Sequence, residues 1–287
     1  MTEGEGGRPA SAQVSSNLRQ RFLSALVLGP LTLILTWLGG AAFSVLAAAA
    51  GIILLWEWTV IIGAERRAPP IITAFIALVL AGAAASVGAI SWALAIVATG
   101  AIGVGVLGGG RRLARWTAEG LVYAGLAVIT LVALRNGSEG LVAVVFLLLV
   151  VWATDIAAYF VGRALGGPKL WPRVSPGKTW SGACGGVVAA LLIGAVAAIV
   201  LGRLPVWFWL AAAFALSVAS QAGDLLESAL KRRFGVKDSG RLIPGHGGLL
   251  DRVDGLVGAA VVGYAVAVVA AGSISDPVGG VLAGLGR

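Results

Sequence analysis

Long apolar stretches alternate with short polar segments along almost the whole chain. Apolar runs of about 18 or more residues are typical of membrane-spanning helices. Nine such runs are present, at residues 22–39, 42–62, 71–88, 90–107, 118–134, 141–162, 182–201, 206–226 and 249–271. The pattern therefore predicts an all-α fold, a polytopic integral membrane bundle of about nine transmembrane helices.

The polar segments divide the chain into three parts. Residues 1–21 are expected to form a disordered cytoplasmic segment, and they hold no apolar core with a small-residue cleavage site, so the first span is predicted to be retained. Residues 22–134 are predicted to hold the N-terminal transmembrane helices. Residues 135–287 are predicted to form a C-terminal transmembrane region that carries the chemistry.

Composition supports a membrane protein and excludes some kinds of site. The chain is 59% hydrophobic and only 12% charged, which is too little charge to cover a water-soluble domain. Its 43 glycines favour close packing of helices through small residues. The single cysteine, Cys184, excludes an intramolecular disulfide, and no Cys/His metal spacing is present.

The basic residues predict how the chain is oriented. If the N-terminus is cytoplasmic, 18 of the 21 Lys and Arg residues fall in inner segments, and only Arg135, Arg203 and Arg287 fall outside. Cytoplasmic loops of membrane proteins carry this excess of positive charge. A cytoplasmic N-terminus and an outside C-terminus are therefore predicted. The inner loops 162–181 and 227–248 are unusually polar, so function is expected on the cytoplasmic face.

Four aspartates fall near the predicted inner ends of their spans: Asp155, Asp224, Asp251 and Asp254. Carboxylates inside a membrane are costly and usually face a bundle interior or a wet cavity. Converging carboxylates without Cys or His partners suit a hard cation such as Mg²⁺. Asp251 and Asp254 alone could instead stabilise the start of the ninth helix through its dipole. That alternative does not account for the other two.

Basic residues accompany these acids. Lysines and arginines interleaved with metal-binding carboxylates suit a nucleoside triphosphate or a phospholipid head group. The alternative is that they only set topology or attract anionic lipid. We prefer that alternative for Arg111, Arg112 and Arg115 but not for the basic residues of 231–237, which lie among acids, Gly and Pro: Lys231, Arg232, Arg233 and Lys237. Arg241 also flanks the acids, and Lys178 lies in the other inner loop.

The SPGKT segment and His246 each have more than one interpretation. SPGKT at 175–179 lacks the first glycine of a phosphate-binding loop, but Thr179 or Ser181 could cap the seventh span. His246, the only histidine, lies in PGHGG and could be a general base, a phosphate donor or a turn residue. The structural roles are the commoner ones for a lone histidine in a glycine loop.

The segment SALKRRFGVKDSGRLIPGHGGLLDRVD, 228–254, resembles the signature of the phosphatidate cytidylyltransferases (CDP-diacylglycerol synthases). The upstream QAGDLLES, 221–228, and DIAAYFVGRALGGPKLWPRVSPGKTWSG, 155–182, resemble two further elements of that family. The detailed resemblance covers about 155–260. Gly177 and Ser181 depart from the family pattern, which commonly has a lysine and a glutamate there.

The resemblance implies transfer of a cytidylyl group from CTP to phosphatidic acid, giving CDP-diacylglycerol and pyrophosphate. It further implies Mg²⁺, with a second, monovalent cation left open, and a homodimer in the cell (inner) membrane; no nucleic acid partner is expected. Asp224, Asp251 and Asp254 would hold the metal, and with Lys231 they would be the catalytic residues. The implied substrate-binding residues are Lys178, Ser228, Arg232, Lys237, Asp238, His246 and Arg252.

Two other functions are weighed against this one. DRVDG resembles the opening of the CDP-alcohol phosphatidyltransferase motif, but the rest of that motif is absent after residue 255. A cation-coupled transporter could also use intramembrane aspartates. Against it stand the lack of an internal repeat and the clustering of polar residues at one face instead of the midplane.

Overall fold

The computed structural model describes residues 26–65, 68–202, 204–240, 242 and 247–285. Within these ranges the chain is almost entirely helical. The first five helices are α1 (Leu26–Leu38), α2 (Gly40–Ile61), α3 (Pro69–Ser86), α4 (Ile90–Leu107) and α5 (Arg112–Asn136). The remaining helices are α6 (Gly140–Leu165), α7 (Trp180–Leu201), α8 (Val206–Arg233), α9 (Leu250–Ala271) and α10 (Pro277–Leu285).

The predicted polytopic membrane bundle is confirmed in its general form. Eight helices of the described chain, α2 to α9, are long and apolar enough to cross a membrane. The described part of the first predicted span is the shorter α1, and residues 22–25 lie outside the described ranges. The count of nine spans and the orientation of the termini therefore stay predictions.

Helix α8 extends seven residues beyond its predicted end at residue 226 and stops at Arg233. The apolar pattern ends at the first acids, whereas the following residues still favour a helix by their intrinsic propensity. This extension places Asp224, Ser228 and Lys231 on one continuous helix. A helix rises 1.5 Å per residue, so these side chains follow one another along about 10 Å of α8.

Two short elements were not predicted from the sequence. A β-hairpin, β1 (Lys169–Trp171) and β2 (Ser175–Thr179), joins α6 to α7, and α10 follows α9. Thr179 ends the hairpin and caps α7, because its Oγ1 accepts a hydrogen bond from the Gly182 backbone N–H at 3.1 Å. The capping role proposed for Thr179 is thus confirmed, and it fixes the hairpin to the start of α7.

The described helices pack in two groups that meet along α5 and α9. Helices α2 to α5 pack against one another, and α6 to α9 form the second group. Small residues bring α8 and α9 together: a Cβ on Gly223 would collide with the backbone of Asp254, and one on Gly258 would collide with the backbone of Ala219. This close approach places the acids of α8 beside those of α9.

Candidate active site

Lys231, on the last turn of α8, lies between two carboxylates. Its Nζ is 2.6 Å from Oδ1 of Asp251 on α9 and 2.7 Å from Oε2 of Glu227, one turn earlier on α8. The three side chains are enclosed, with exposed fractions of 15% for Lys231, 14% for Asp251 and 2% for Glu227. We call these three residues the enclosed cluster. Enclosure strengthens such ion pairs and fixes the direction of the lysine.

Backbone and hydroxyl donors complete the enclosed cluster. Oδ2 of Asp251 accepts hydrogen bonds from the Ser239 N–H at 3.0 Å, the Ser239 hydroxyl at 2.9 Å and the Gly248 N–H at 3.2 Å. Asp251 therefore ties the loop after α8 to the start of α9. Both of its oxygens are occupied by donors of the protein itself.

A buried carboxylate from the other helix group reaches the same loop. Glu57 on α2 is fully buried, and it accepts the backbone N–H of Leu249 at 2.9 Å and of Leu250 at 2.7 Å. The Ser239 hydroxyl lies 3.3 Å from its Oε2. Helix α2 thereby contacts the start of α9 next to Asp251.

A second, more open group of charges lies beside the first. Lys178 on β2 forms an ion pair with Asp224 on α8, and the exposed fractions of their side chains are 27% and 35%. Asp155 on α6 lies within electrostatic range of both. Asp254 on α9 is within range of all three. We call these four residues the open cluster; it brings together side chains from α6, β2, α8 and α9.

The open cluster has the donor chemistry that Mg²⁺ prefers. The cluster holds three carboxyl groups and one lysine, so it offers hard oxygen atoms in excess of its single cation. In the described residues, however, no group of three or more His, Cys, Asp or Glu side chains is already arranged as metal ligands. The cation fits this cluster chemically, and the predicted ligand set of Asp224, Asp251 and Asp254 stays a prediction.

Buried polar atoms without partners lie close to both clusters. Within the described structure, the Tyr123 hydroxyl, the Ser220 hydroxyl and Oε1 of Glu227 are buried and lack a hydrogen-bond partner. Tyr123 on α5 is also within electrostatic range of Asp254 and Glu227. Buried polar groups usually have partners, so these three atoms are exceptions among the buried polar groups where α5, α8 and α9 come together.

The other predicted residues lie around these clusters. Ser228 lies 3.4 Å from Oδ1 of Asp224, and Nε of Arg232 lies 3.4 Å from the carbonyl oxygen of Val174 in the hairpin. Three are exposed near the start of α9 or in the loop before it: Lys237, Asp238 and Arg252. His246 lies outside the described residues, and its predicted role stays a prediction.

The structure shows the surroundings of Gly177 and Ser181, the two residues that depart from the family pattern. The Ser181 hydroxyl donates to the Gly166 carbonyl at the end of α6 and lies 3.0 Å from Oγ1 of Thr179. A Cβ on Gly177 would meet open space. Ser181 therefore anchors the hairpin, while position 177 has room for a side chain.

An apolar cavity of about 310 Å³ lies away from these clusters. Its lining includes Phe146, Phe208, Trp209 and Val281, but none of the described site residues. Trp209 precedes Asp224 on α8 by 15 residues, which is about 22 Å of helix. The charged site is thus separated from this cavity along the bundle.

Sequence reasoning missed Glu57 and Ser239 as members of the site. Glu57 had a signal, since it is an acid within the apolar run IILLWEWTVII. Its partners lie more than 180 residues away along the chain, so only the fold identifies them. Ser239 had no comparable signal, because a serine in a polar loop is unremarkable by itself.

Comparison with known proteins identifies the family of the chain. A family model described as "Cytidylyltransferase family" matches residues 19–270. A phosphatidate cytidylyltransferase of Brucella suis biovar 1 (strain 1330) is 46% identical over 258 residues, covering 87% of this chain and 93% of the relative. Phosphatidate cytidylyltransferases of Staphylococcus saprophyticus and Bacillus subtilis (strain 168) are 47% and 45% identical over 135 residues, about half of each chain. The chain belongs to the cytidylyltransferase family.

Proposed function

We propose that this chain transfers a cytidylyl group from CTP to phosphatidic acid, giving CDP-diacylglycerol and pyrophosphate. The observation that carries the proposal is the open cluster, Asp155, Lys178, Asp224 and Asp254, at one end of an apolar bundle. A water-soluble nucleotide and a lipid head group can meet there while the acyl chains stay in the bilayer. The names of the relatives, phosphatidate cytidylyltransferases, support the same reaction.

The reaction is an in-line displacement at phosphorus. A phosphate oxygen of phosphatidic acid attacks the α-phosphorus of CTP, a new P–O bond forms, and the bond from the α-phosphorus to the bridging oxygen breaks. Pyrophosphate leaves with that electron pair. The attacking oxygen is already anionic near neutral pH, so positioning and charge neutralisation supply most of the catalysis.

The lysines of the two clusters neutralise phosphate charge in different ways. Lys231 is already directed by Asp251 and Glu227, so it offers a fixed cation to a phosphate. Lys178 is more exposed and can exchange Asp224 for a phosphate oxygen. Arg232 and Lys237 add positive charge at the end of α8 and just beyond it. Ser228, Asp238, His246 and Arg252 are proposed as further substrate contacts.

Mg²⁺ is proposed as the cofactor. Asp224 and Asp254 of the open cluster would hold it, and Asp251 would join them only if Lys231 released its Oδ1. When bound, the cation supplies charge neutralisation on phosphate oxygens. The protein's own carboxylates place that charge beside Lys178.

We also propose a cytoplasmic site in the cell (inner) membrane, with the N-terminus inside and the C-terminus outside. The support is the excess of Lys and Arg in the loops at the site's end of the bundle. A homodimer is proposed from the resemblance alone.

The proposal is tested with the full chain purified in detergent and given CTP, Mg²⁺ and phosphatidate. Pyrophosphate and a CDP-lipid should appear in equal amounts, and both should depend on each of the three additions. A chain that forms no CTP-dependent product but conducts ions in liposomes would be a transporter. Release of CMP from CDP-diacylglycerol and an alcohol would instead identify a CDP-alcohol phosphatidyltransferase.

A further inference from the structure

We propose that Glu57 is a positioning residue, through which α2 holds the catalytic loop and the first turn of α9 in their working arrangement. The proposal rests on the proposed function, because it concerns how the residues of that site are held. It assigns a role in catalysis to the N-terminal helix group, which holds none of the residues of the 155–260 resemblance.

The first argument is the contact geometry of the carboxylate. The Glu57 oxygens accept the N–H groups of Leu249 and Leu250 at 2.9 and 2.7 Å, and the Ser239 hydroxyl lies 3.3 Å away. The first N–H groups of a helix have no partner within the helix. Glu57 supplies that partner from another helix, and its negative charge also favours the positive end of the α9 dipole.

The second argument is the burial of the charge. Glu57 is fully buried, and the groups around its carboxylate are neutral: two backbone N–H donors and the Ser239 hydroxyl, whose single proton serves either Glu57 or Asp251. A buried carboxylate depends on such hydrogen bonds, so a shift of the loop would be costly. The fold can therefore accommodate Glu57 only while the loop and the start of α9 stay in this position.

The third argument comes from two glycines that pack on the carboxylate. A Cβ on Gly240 would come within 2.9 Å of Oε1, and one on Gly248 would come within 2.8 Å of both oxygens. Contact with Glu57 is enough to account for the absence of a side chain at both positions. Their lack of a side chain lets the loop close around Glu57.

The fourth argument is continuity with the enclosed cluster. The Ser239 hydroxyl lies between Oε2 of Glu57 and Oδ2 of Asp251, at 3.3 and 2.9 Å. Asp251 in turn pairs with Lys231. A chain of contacts thus runs from α2 through Ser239 and Asp251 to the lysine proposed to bind phosphate.

The test uses Glu57→Gln in the purified full chain. The amide keeps the size of the side chain but places an N–H₂ group against one backbone N–H, so at least one contact is lost. We expect kcat/KM for CTP to fall roughly 10- to 100-fold, as for a small misplacement of catalytic groups. Hydrogen exchange should become faster in peptides covering 239–250 and stay unchanged in α3 and α4.

Glu119→Gln is the matched control, because the Glu119 side chain on α5 is 41% exposed and pairs locally with Arg115 at 3.0 Å. It should change kcat/KM by less than about 2-fold. Glu57→Asp, which keeps the charge but is one methylene shorter, should recover part of the loss. Ser239→Ala removes only the hydroxyl, and its effect should be less than additive with that of Glu57→Gln.

Folded Glu57→Gln protein with wild-type kcat/KM and unchanged exchange in 239–250 would overturn the proposal. So would an activity loss that disappears once the amount of folded protein is taken into account. If Glu57→Gln does not fold, Ser239→Ala decides: unchanged kcat/KM and exchange would contradict the proposal. A wild-type chain that forms no CDP-lipid refutes the proposed function, while the exchange comparison still tests the contact.

Discussion

Lys178 and Lys231 both neutralise carboxylates, but they do so in different surroundings. Lys231 is held by two carboxylates and is 15% exposed, and its partner Asp251 accepts three further hydrogen bonds from the loop. Lys178 pairs with Asp224 in a more open position, where their side chains are 27% and 35% exposed. The two lysine–carboxylate pairs therefore have the same chemistry but differ in exposure and in how firmly the protein holds them.

Under the proposed function, the enclosed cluster is the scaffold of the site and the open cluster is its exchangeable part. The oxygens of Asp251 are satisfied by the protein, so the enclosed cluster is preorganised before any substrate binds. The open cluster has three carboxyl groups near one lysine, and under the proposed function an incoming phosphate or metal would replace its internal pairing. Substitutions in the first should affect both stability and activity, and those in the second should affect activity alone.

The largest effect is expected for Asp251→Asn. It leaves Lys231 with one carboxylate and weakens the connection from the loop to α9, so kcat should fall roughly 10³-fold. Stability should fall by about 1–3 kcal/mol, because hydrogen bonds to a charged group are lost. Pyrophosphate release and thermal unfolding in detergent measure the two quantities. If this variant unfolded at the wild-type temperature, the enclosed cluster would contribute no more to stability than the open cluster, which would contradict the comparison.

Asp224→Asn should reduce kcat roughly 10²- to 10³-fold while the unfolding temperature stays close to that of the wild type. The open pair contributes little to stability, since exposed ion pairs are weak. Asp276→Asn is the control: it makes the same change in an aspartate just before α10, whose carboxylate accepts the backbone N–H groups of Ser138 and Gly279. Equal activity of the two variants would refute the catalytic and metal assignment of Asp224.

Lys178→Met should raise KM for CTP roughly 10-fold, which corresponds to about 1.4 kcal/mol of binding. Its unfolding temperature should not fall. Lys231→Met should lower both activity and stability, because it leaves Asp251 and Glu227 without their shared cation. Steady-state kinetics at several CTP concentrations, with unfolding curves for both variants, make the comparison. Identical profiles would contradict it.

The smallest effect is expected for Thr179→Val, which removes the cap of α7 but keeps the shape of the side chain. Loss of the bond to the Gly182 N–H should cost about 1 kcal/mol of stability. Lys178 directly precedes Thr179 in β2, so loss of the cap should displace it slightly. KM for CTP should therefore rise by less than about 3-fold. A rise as large as that of Lys178→Met would show that the cap, and not the lysine charge, limits nucleotide binding.

Much of the site could be predicted from the sequence because membrane helices carry few acids. An acid within an apolar run is conspicuous, and the inner ends of spans lie at similar depth, which together indicated Asp155, Asp224 and Asp254. The structure places these three within electrostatic range of one another. The helical bundle followed from the same apolar runs.

The pairing of the lysines could not be predicted. Topology predicts the depth of Asp251 and Asp224 in the membrane but not the direction in which each side chain points. It therefore could not predict that Asp251 pairs with Lys231 and Asp224 with Lys178. The hairpin at 169–179 was missed because strands of three and five residues are too short to show a lasting alternation of apolar and polar positions. Helix α10 has only nine residues, which is too short for the length criterion of a membrane span.

The contact of Glu57 with Leu249 also bears on how the protein is made. The two residues are 192 positions apart, and a ribosome adds about 5–20 residues per second, so α2 waits about 10–40 s for α9 to be synthesised. During that time the carboxylate of Glu57 has none of the partners that it contacts in the finished protein. These contacts can form only after α9 has been synthesised, so a nascent chain that stops before α9 holds the acids of α6 and α8 without those of α9.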